Sequence, residues 1–249
     1  WLARRRPGYL FTYPSNLRAL AERCRERGID LPGLAQVLTT GEVLDPDTRH
    51  LCREAWGVSI TDLYSAMEVG VIALQCPEHE HYHVQAENIM VEVLDEDDRP
   101  CAPGEVGRVV VTPLHNFAMP LLRYEIGDFA EVGGACDCGR GLAVLRRIMG
   151  RTRGLFVAPD GSRYFPSFGA SRFAEIAPVV QHQFVQKAPD WIEARLVTRR
   201  VLTSDEEDAL RSCILARLPP TSKVELVYFE RIATTADGKY EECVSEVVA

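Results

Sequence analysis

Residues 35–70 read AQVLTTGEVLDPDTRHLCREAWGVSITDLYSAMEVG, and this stretch decides the fold. Two short apolar segments, residues 35–42 and 58–63, predict strands, and residues 46–56 between them predict a helix. Strand, helix and strand at this spacing indicate a parallel α/β unit. Ligands of such sheets bind at the carboxyl ends of the strands, so TTGE and YSAMEVG are expected to face the same crevice.

A further helix is predicted before this unit, over residues 14–28. Its apolar residues recur at helical spacing, with Ser15 as the expected N-cap and Gly28 as the expected C-cap. The α/β unit as a whole is predicted to occupy residues 1–75.

The pattern changes at Val84, where β-branched runs alternate with turn segments and predict an antiparallel β-subdomain over residues 84–149. A domain boundary is predicted near Gly150. Beyond it, over residues 151–249, a hairpin around an Asp-Gly turn, a helix over residues 204–220 and a following strand predict a small α+β domain.

Composition excludes several classes of protein. The net charge of -8 argues against nucleic acid as the main partner, because phosphate binding needs a basic surface. The sequence has no apolar run approaching ~20 residues and no signal segment, which predicts neither membrane insertion nor secretion and favours the cytoplasm. The chain begins at Trp1 without an initiator methionine, which predicts a piece of a longer protein.

A cluster of cysteine and histidine lies in QCPEHEHYH, residues 75–83, and a second one in CDCG, residues 136–139. Gly139 permits the tight turn that brings two thiolates to one ion. Cys76, Cys136, Cys138 and one histidine would complete a tetrahedral Cys₃His zinc site, which is structural because no coordination position stays open for water. His83 begins a predicted strand, whereas His79 and His81 lie in the loop. Free thiols in loops and a Cys-His nucleophile pair are the alternatives.

Five short motifs occur in a characteristic order: TTGE, YSAMEVG, RYEIGD at residues 123–128, GR at residues 150–151 and TTADGK at residues 234–239. This order resembles the C-terminal part of the adenylate-forming (AMP-binding) enzymes. The most similar branch contains the phenylacetate-coenzyme A ligases and capsule-biosynthesis ligase-like proteins, which residues 83–128 resemble almost throughout. The resemblance implies the end of a large adenylation domain over residues 1–150 and a C-terminal lid domain over residues 151–249.

The same resemblance implies an activity, namely ATP-dependent conversion of a carboxylic acid, with aryl acids as candidates, to an acyl-adenylate. The acyl group would then pass to coenzyme A, although a carrier-protein thiol or an amine remains open as acceptor, as does a homodimer. A non-catalytic, zinc-stabilised nucleotide-binding or scaffold domain derived from this fold is the alternative.

The resemblance also implies roles for residues that contact the nucleotide. The backbone at Gly41 and Glu42 would approach the adenine edge, Tyr64 would flank the adenine, and Ser65 would contact phosphate. Asp128 would accept hydrogen bonds from both ribose hydroxyls, a task that suits a carboxylate with two oxygens.

Further implied roles belong to charged groups. Glu68 would bind the Mg²⁺ that neutralises the phosphates, Arg151 would reach the nucleotide, and Lys239 in the lid would neutralise charge that develops during adenylation. The Ser/Thr/Gly-rich phosphate loop of the family is not within these 249 residues, so the chain alone is expected to be inactive.

For the metal site, the branch combines a cysteine followed seven residues later by a histidine with a downstream C-x-C-G. This implies Cys76, His83, Cys136 and Cys138 as the zinc ligands, with His81 as the alternate.

Each residue also has a simpler interpretation. Asp128 alone is typical of a turn, Tyr64 of a core aromatic residue, and Glu68 of a solvated loop. Arg151 alone is a linker cation, and Lys239 follows an Asp-Gly turn as an exposed lysine. The joint order of the motifs favours the functional interpretation.

Overall fold

The computed structural model describes residues 2–166, 168, 173–235 and 240–247. The chain divides into two compact units, Trp1–Gly150 and Arg151–Ala249, and each is described here by itself. Every helix among the described residues is too short or too polar to cross a lipid bilayer.

The described part of the N-terminal unit alternates helices and strands at first and contains only strands afterwards. Its elements are α1 (Leu2–Arg5), β1 (Tyr9–Thr12), α2 (Pro14–Arg27), β2 (Gln36–Thr40), α3 (Pro46–Trp56), β3 (Ile60–Ala66), β4 (Gly70–Gln75), β5 (Tyr82–Val84), β6 (Ile89–Leu94), β7 (Val106–Pro113), β8 (Tyr124–Val132) and β9 (Val144–Arg151).

These strands form one nine-stranded sheet in the order β1-β2-β3-β4-β5-β9-β8-β7-β6. Strands β1, β2 and β3 are parallel. The pairs β3–β4, β4–β5, β5–β9, β8–β7 and β7–β6 are antiparallel. The predicted α/β fold class, with a parallel part followed by an antiparallel part, is confirmed. The two parts share a single sheet because β4, which follows YSAMEVG, pairs with both β3 and β5.

Helices α2 and α3 bury their apolar faces with the parallel strands, in a cluster that includes Leu17, Ala21, Val37, Cys52 and Ile60. Such buried aliphatic side chains contribute roughly 1.5–3 kcal/mol each through the hydrophobic effect.

The ends of these helices follow from the sequence, with one exception. Gly28 ends α2 in the left-handed conformation with φ 60°, as expected of a C-cap. Helix α3 begins after Asp45, whose carboxylate accepts a 2.9 Å hydrogen bond from the Thr48 backbone N–H. The prediction that Ser15 is the N-cap of α2 is wrong. Tyr13 holds that position without a side-chain cap, because the proline at the first turn already sets the helical φ.

The described part of the C-terminal unit contains a 3₁₀ turn (Thr152–Gly154) and the elements β10 (Phe156–Val157), β11 (Arg163–Tyr164), α4 (Phe173–Ile176), β12 (Val179–Ala188), β13 (Trp191–Thr198), α5 (Ser204–Leu215), β14 (Lys223–Tyr228) and β15 (Cys243–Ser245). Four of the strands form a sheet in the order β14-β13-β12-β15. Its core includes Phe184, Leu196, Leu210 and Ile214.

Helix α5 begins with a capping box, in which the Thr203 and Glu206 side chains each bond the other residue's backbone N–H. The sequence predicts this helix as far as residue 220, but it ends at Leu215. Two prolines, Pro219 and Pro220, follow, and their rings are incompatible with a continued helix.

Candidate functional site

The turns after β2 and β3 meet at one edge of the sheet. The parallel register pairs Thr40, the last residue of β2, with Leu63, and β3 continues as far as Ala66. At this edge Thr40 Oγ1 and Ser65 Oγ lie 3.0 Å apart, within hydrogen-bond distance. The structure therefore brings TTGE and YSAMEVG together, as strand-end geometry predicts.

Tyr64 and Asp128 are in direct contact at this edge. The Tyr64 hydroxyl donates a hydrogen bond to Asp128 Oδ2 at 2.8 Å, across 64 positions of sequence. The Tyr64 side chain is buried in the core cluster of the antiparallel part. A half-buried carboxylate is thereby held beside the end of β3.

A β-bulge accounts for the position of Asp128. Arg108 pairs with Phe129 and Val110 with Glu125, so residues 126–128 of β8 stand opposite a single residue of β7. Gly127 within the bulge has φ 81°, a conformation that a side chain with Cβ adopts at a cost. A bulge of this kind changes the direction in which a strand presents its side chains.

Gly41 and Glu42 form the turn that follows β2. Gly41 has φ 80°, in the left-handed region that favours glycine. The Glu42 carboxylate accepts hydrogen bonds from the Ser15 backbone N–H at 2.8 Å and the Ser15 hydroxyl at 2.9 Å. Glu42 thus satisfies donors at the start of α2, where the helix dipole also favours a negative charge. This contact fixes the backbone of the turn.

The other predicted residues lie in different environments. Glu68 is an exposed residue in the turn between β3 and β4, next to the almost fully exposed Met67. Arg151 is exposed and ends β9. Lys239 lies outside the described residues.

Asp62 is a residue of this region that sequence reasoning missed. Its buried carboxylate accepts a 2.5 Å hydrogen bond from the Thr39 hydroxyl and a 2.6 Å bond from the Tyr82 hydroxyl. Burial raises the pKa of Asp62, and the two hydroxyl donors partly oppose that shift. An acid within the apolar strand VSITDLY was the signal, because a buried carboxylate requires partners.

Four side chains converge at a second place in the N-terminal unit. One ligand atom each from Cys76, His83, Cys136 and Cys138 lies within 4.8 Å of all the others. Cys76 follows β4, His83 is on β5, and the other two are in the β8–β9 connection. We call this set the Cys₃His quartet.

The distances inside the quartet agree with tetrahedral geometry. The Cys76 and Cys136 sulfurs are 3.9 Å apart, and Cys138 Sγ is 3.2 Å from His83 Nε2. Two thiolates on one tetrahedral Zn²⁺ stand about 3.8 Å apart, given Zn–S bonds of about 2.3 Å. The donor set and its spacing fit zinc.

Burial and local hydrogen bonds distinguish the members of the quartet. Cys76 and His83 are buried, with 4% and 2% of their surface exposed. A hydrogen bond from the Arg140 backbone N–H lowers the pKa of Cys138 to about 6, whereas desolvation raises the pKa of Cys136 to about 11.

His83 Nδ1 is buried without a hydrogen-bond partner among the described atoms. His83, and not the alternate His81, is the histidine of the quartet.

Comparison with known proteins identifies relatives of this chain. No protein-family model matches the sequence. The chain is 30% identical over 210 residues to a phenylacetate-coenzyme A ligase of Thermus thermophilus, covering 82% of this chain and 44% of that protein. The chain therefore spans less than half the length of this curated relative.

Solved structures share the fold. A 2-hydroxyisobutyryl-CoA ligase in complex with 2-HIB-AMP matches with a TM-score of 0.77 and 23% identity, over 99% of this chain and 56% of that one. An anthranilate CoA ligase in complex with anthranoyl-AMP matches with a TM-score of 0.72 and 15% identity, over 96% of this chain and 49% of that one.

Proposed function

Because the chain belongs to the adenylate-forming superfamily, in its phenylacetate-coenzyme A ligase-like branch, we propose that the protein activates a carboxylic acid with ATP. The product is an acyl-adenylate, whose acyl group is then passed to the thiol of coenzyme A. Aryl acids are the first candidates, since the curated relative is named for phenylacetate. The observation that carries the proposal is the Tyr64–Asp128 hydrogen bond at the carboxyl end of β3.

Asp128 is proposed to bind the ribose. One of its oxygens accepts a hydrogen bond from the Tyr64 hydroxyl, and a carboxylate with two oxygens is an acceptor that suits the two ribose hydroxyls. The Tyr64 ring would flank the adenine, whose edge meets the backbone of Gly41 and Glu42. The anchoring of Glu42 by Ser15 supports this role, because a fixed backbone loses less conformational entropy when it binds a planar base.

Glu68 is proposed to hold Mg²⁺ near the phosphates, with Ser65 as a phosphate contact. An exposed carboxylate fits this ion, since Mg²⁺ prefers oxygen ligands and keeps several of its waters. When bound, Mg²⁺ would neutralise charge on the phosphate oxygens. Arg151 and Lys239 remain predicted to supply positive charge to the same nucleotide.

The Cys₃His quartet is proposed to hold a structural Zn²⁺. With four protein ligands the ion has no open position for water, so it would stabilise the fold and take no part in acyl transfer. The ion would connect the β4–β5 hairpin to the β8–β9 connection. The cysteines, all of them free in this structure, support the cytoplasm as the proposed location, because thiols stay reduced there.

Carboxylate-dependent ATP–pyrophosphate exchange tests the function. We expect the full-length protein to catalyse exchange with at least one member of a panel of aryl and aliphatic acids, and Asp128→Ala to abolish it. Mass spectrometry of the products with coenzyme A, a carrier protein or an amine then identifies the acceptor. Absence of exchange with every acid, together with absence of nucleotide binding, would favour the scaffold function instead.

A further inference from the structure

Two histidines of QCPEHEHYH lie outside the Cys₃His quartet. His79 Nε2 is 2.6 Å from Asp137 Oδ1, across 58 positions of sequence. One sulfur of the quartet, that of Cys136, completes a second group, in which ligand atoms of His79, Cys136 and Asp137 all lie within 4.8 Å of one another. The two groups therefore share Cys136.

We propose that His79, Cys136 and Asp137 bind a second Zn²⁺ ion, which shares the Cys136 thiolate with the zinc of the quartet. The inference rests on the proposed structural zinc, because a bridging thiolate needs an ion on each side.

The donor set favours zinc over Mg²⁺ and Ca²⁺. An imidazole nitrogen, a thiolate sulfur and a carboxylate oxygen are all ordinary Zn²⁺ ligands, whereas Mg²⁺ and Ca²⁺ require oxygen ligands. The Asp137 side chain is 86% exposed and that of His79 38% exposed. Solvent therefore reaches the group and supplies the fourth ligand, so this ion would exchange more readily than the enclosed one.

Charge balance also favours a second cation. A single Zn²⁺ bound by three thiolates and a neutral imidazole has a net charge of about -1. A second Zn²⁺ together with the Asp137 carboxylate adds about +1, so the pair of sites is neutral. Arg140 also lies near the quartet and interacts with Cys138, Cys76 and Glu78.

His81 holds the two groups at a fixed separation. Its ring stacks on that of His79 with centroids 4.9 Å apart, and meets that of His83 edge to face at 5.3 Å. The Cys76 backbone N–H also donates to the His81 carbonyl at 2.8 Å, which closes the loop. His79 is therefore kept beside the quartet by its own loop, independently of Asp137.

Zinc stoichiometry of the purified full-length protein tests this arrangement. Protein equilibrated with excess Zn²⁺ and freed of unbound ion is analysed by inductively coupled plasma mass spectrometry. We expect two equivalents in the wild type, one in His79→Gln and in Asp137→Asn, and none in Cys136→Ser. His50→Gln is the matched control, because His50 pairs with Glu54 at 3.3 Å on α3 and belongs to neither group of metal-binding side chains, and it should retain two equivalents.

Cobalt spectroscopy tests whether the two ions share the sulfur. A second equivalent of Co²⁺ should change the thiolate-to-metal charge-transfer absorption of the first, and Asp137→Asn should remove that change. One equivalent of zinc in the wild type would overturn the second site alone, and no zinc at all would overturn both sites. Two equivalents that persist in the His79→Gln/Asp137→Asn double variant would place the second ion elsewhere and also overturn the proposal.

Discussion

The hydroxyl of Tyr64 donates a 2.8 Å hydrogen bond to Oδ2 of Asp128, and this bond joins β3 to the bulged strand β8. It orients the carboxylate that we propose to bind ribose. The bond couples the parallel and antiparallel parts of the sheet, so its loss has consequences that can be measured.

Tyr64→Phe should weaken nucleotide binding while leaving the ring in place. A hydrogen bond to a charged group contributes about 1.5–3 kcal/mol, and its loss should therefore increase Kd by roughly tenfold or more, measured by calorimetry with AMP or ATP. Tyr228→Phe is the matched control, because Tyr228 also donates to a carboxylate, that of Glu207 on the C-terminal unit. Equal affinity in Tyr64→Phe and the wild type would contradict the role given to this bond.

Asp62→Ala should destabilise the N-terminal unit strongly. The substitution leaves the hydroxyls of Thr39 and Tyr82 without their acceptor in a buried site, at a cost of about 3 kcal/mol in the free energy of unfolding. Urea denaturation followed by tryptophan fluorescence measures this cost. Asp97→Ala removes an exposed ion pair with Arg99, and a change below about 0.5 kcal/mol is expected there. Similar losses in both variants would show that the Asp62 network has no special role.

Cys76→Ser should release the zinc of the quartet and lower Tm. Metal binding that occurs only in the folded state stabilises that state, so we expect Tm to fall by at least about 5 °C. A chelator added to the wild type should have the same effect, and differential scanning fluorimetry with metal analysis records both. Cys101→Ser changes a half-buried cysteine outside the quartet and should retain zinc. Full retention of zinc in Cys76→Ser would exclude Cys76 as a ligand.

Glu206 should make the stability of the C-terminal unit dependent on acid pH. Its carboxylate accepts hydrogen bonds from Arg200 at 2.7 and 2.8 Å, and this pairing lowers the pKa of Glu206 to about 2. A folded-state pKa below the unfolded value of 4.5 means that the stabilisation is complete above pH 4.5. It is lost as the pH falls towards 2.

The free energy of unfolding of the wild type minus that of Glu206→Gln should therefore be constant above pH 5 and shrink below pH 4.5. Arg200→Gln should reduce the same pH dependence, since it removes the hydrogen bond that lowers the pKa of Glu206 the most. Added salt should weaken the effect, because the pair lies at the surface. A difference that does not vary with pH would contradict this assignment.

Local features of the fold follow from the sequence itself. The strand–helix–strand order in residues 35–70 depends on the spacing of apolar residues. The end of α2 at Gly28 depends on the conformational freedom of glycine. Both are properties of residues that are close together in the sequence. The family, too, was predicted from the order of short motifs and is confirmed by the curated relative. The prediction of Ser15 as the helix cap was wrong. The proline before it sets the helical φ, and the distant Glu42 accepts the hydrogen bond from the Ser15 backbone N–H.

The contacts of the site were decided by the tertiary structure. Sequence alone indicated that Tyr64 and Asp128 are candidates, but their hydrogen bond depends on the register between β7 and β8 and on the bulge around Gly127. Likewise, the sequence offered three histidines for the quartet, and the direction in which β5 presents His83 selected one. Strand register and side-chain direction result from pairing between residues far apart in sequence, which no local pattern encodes.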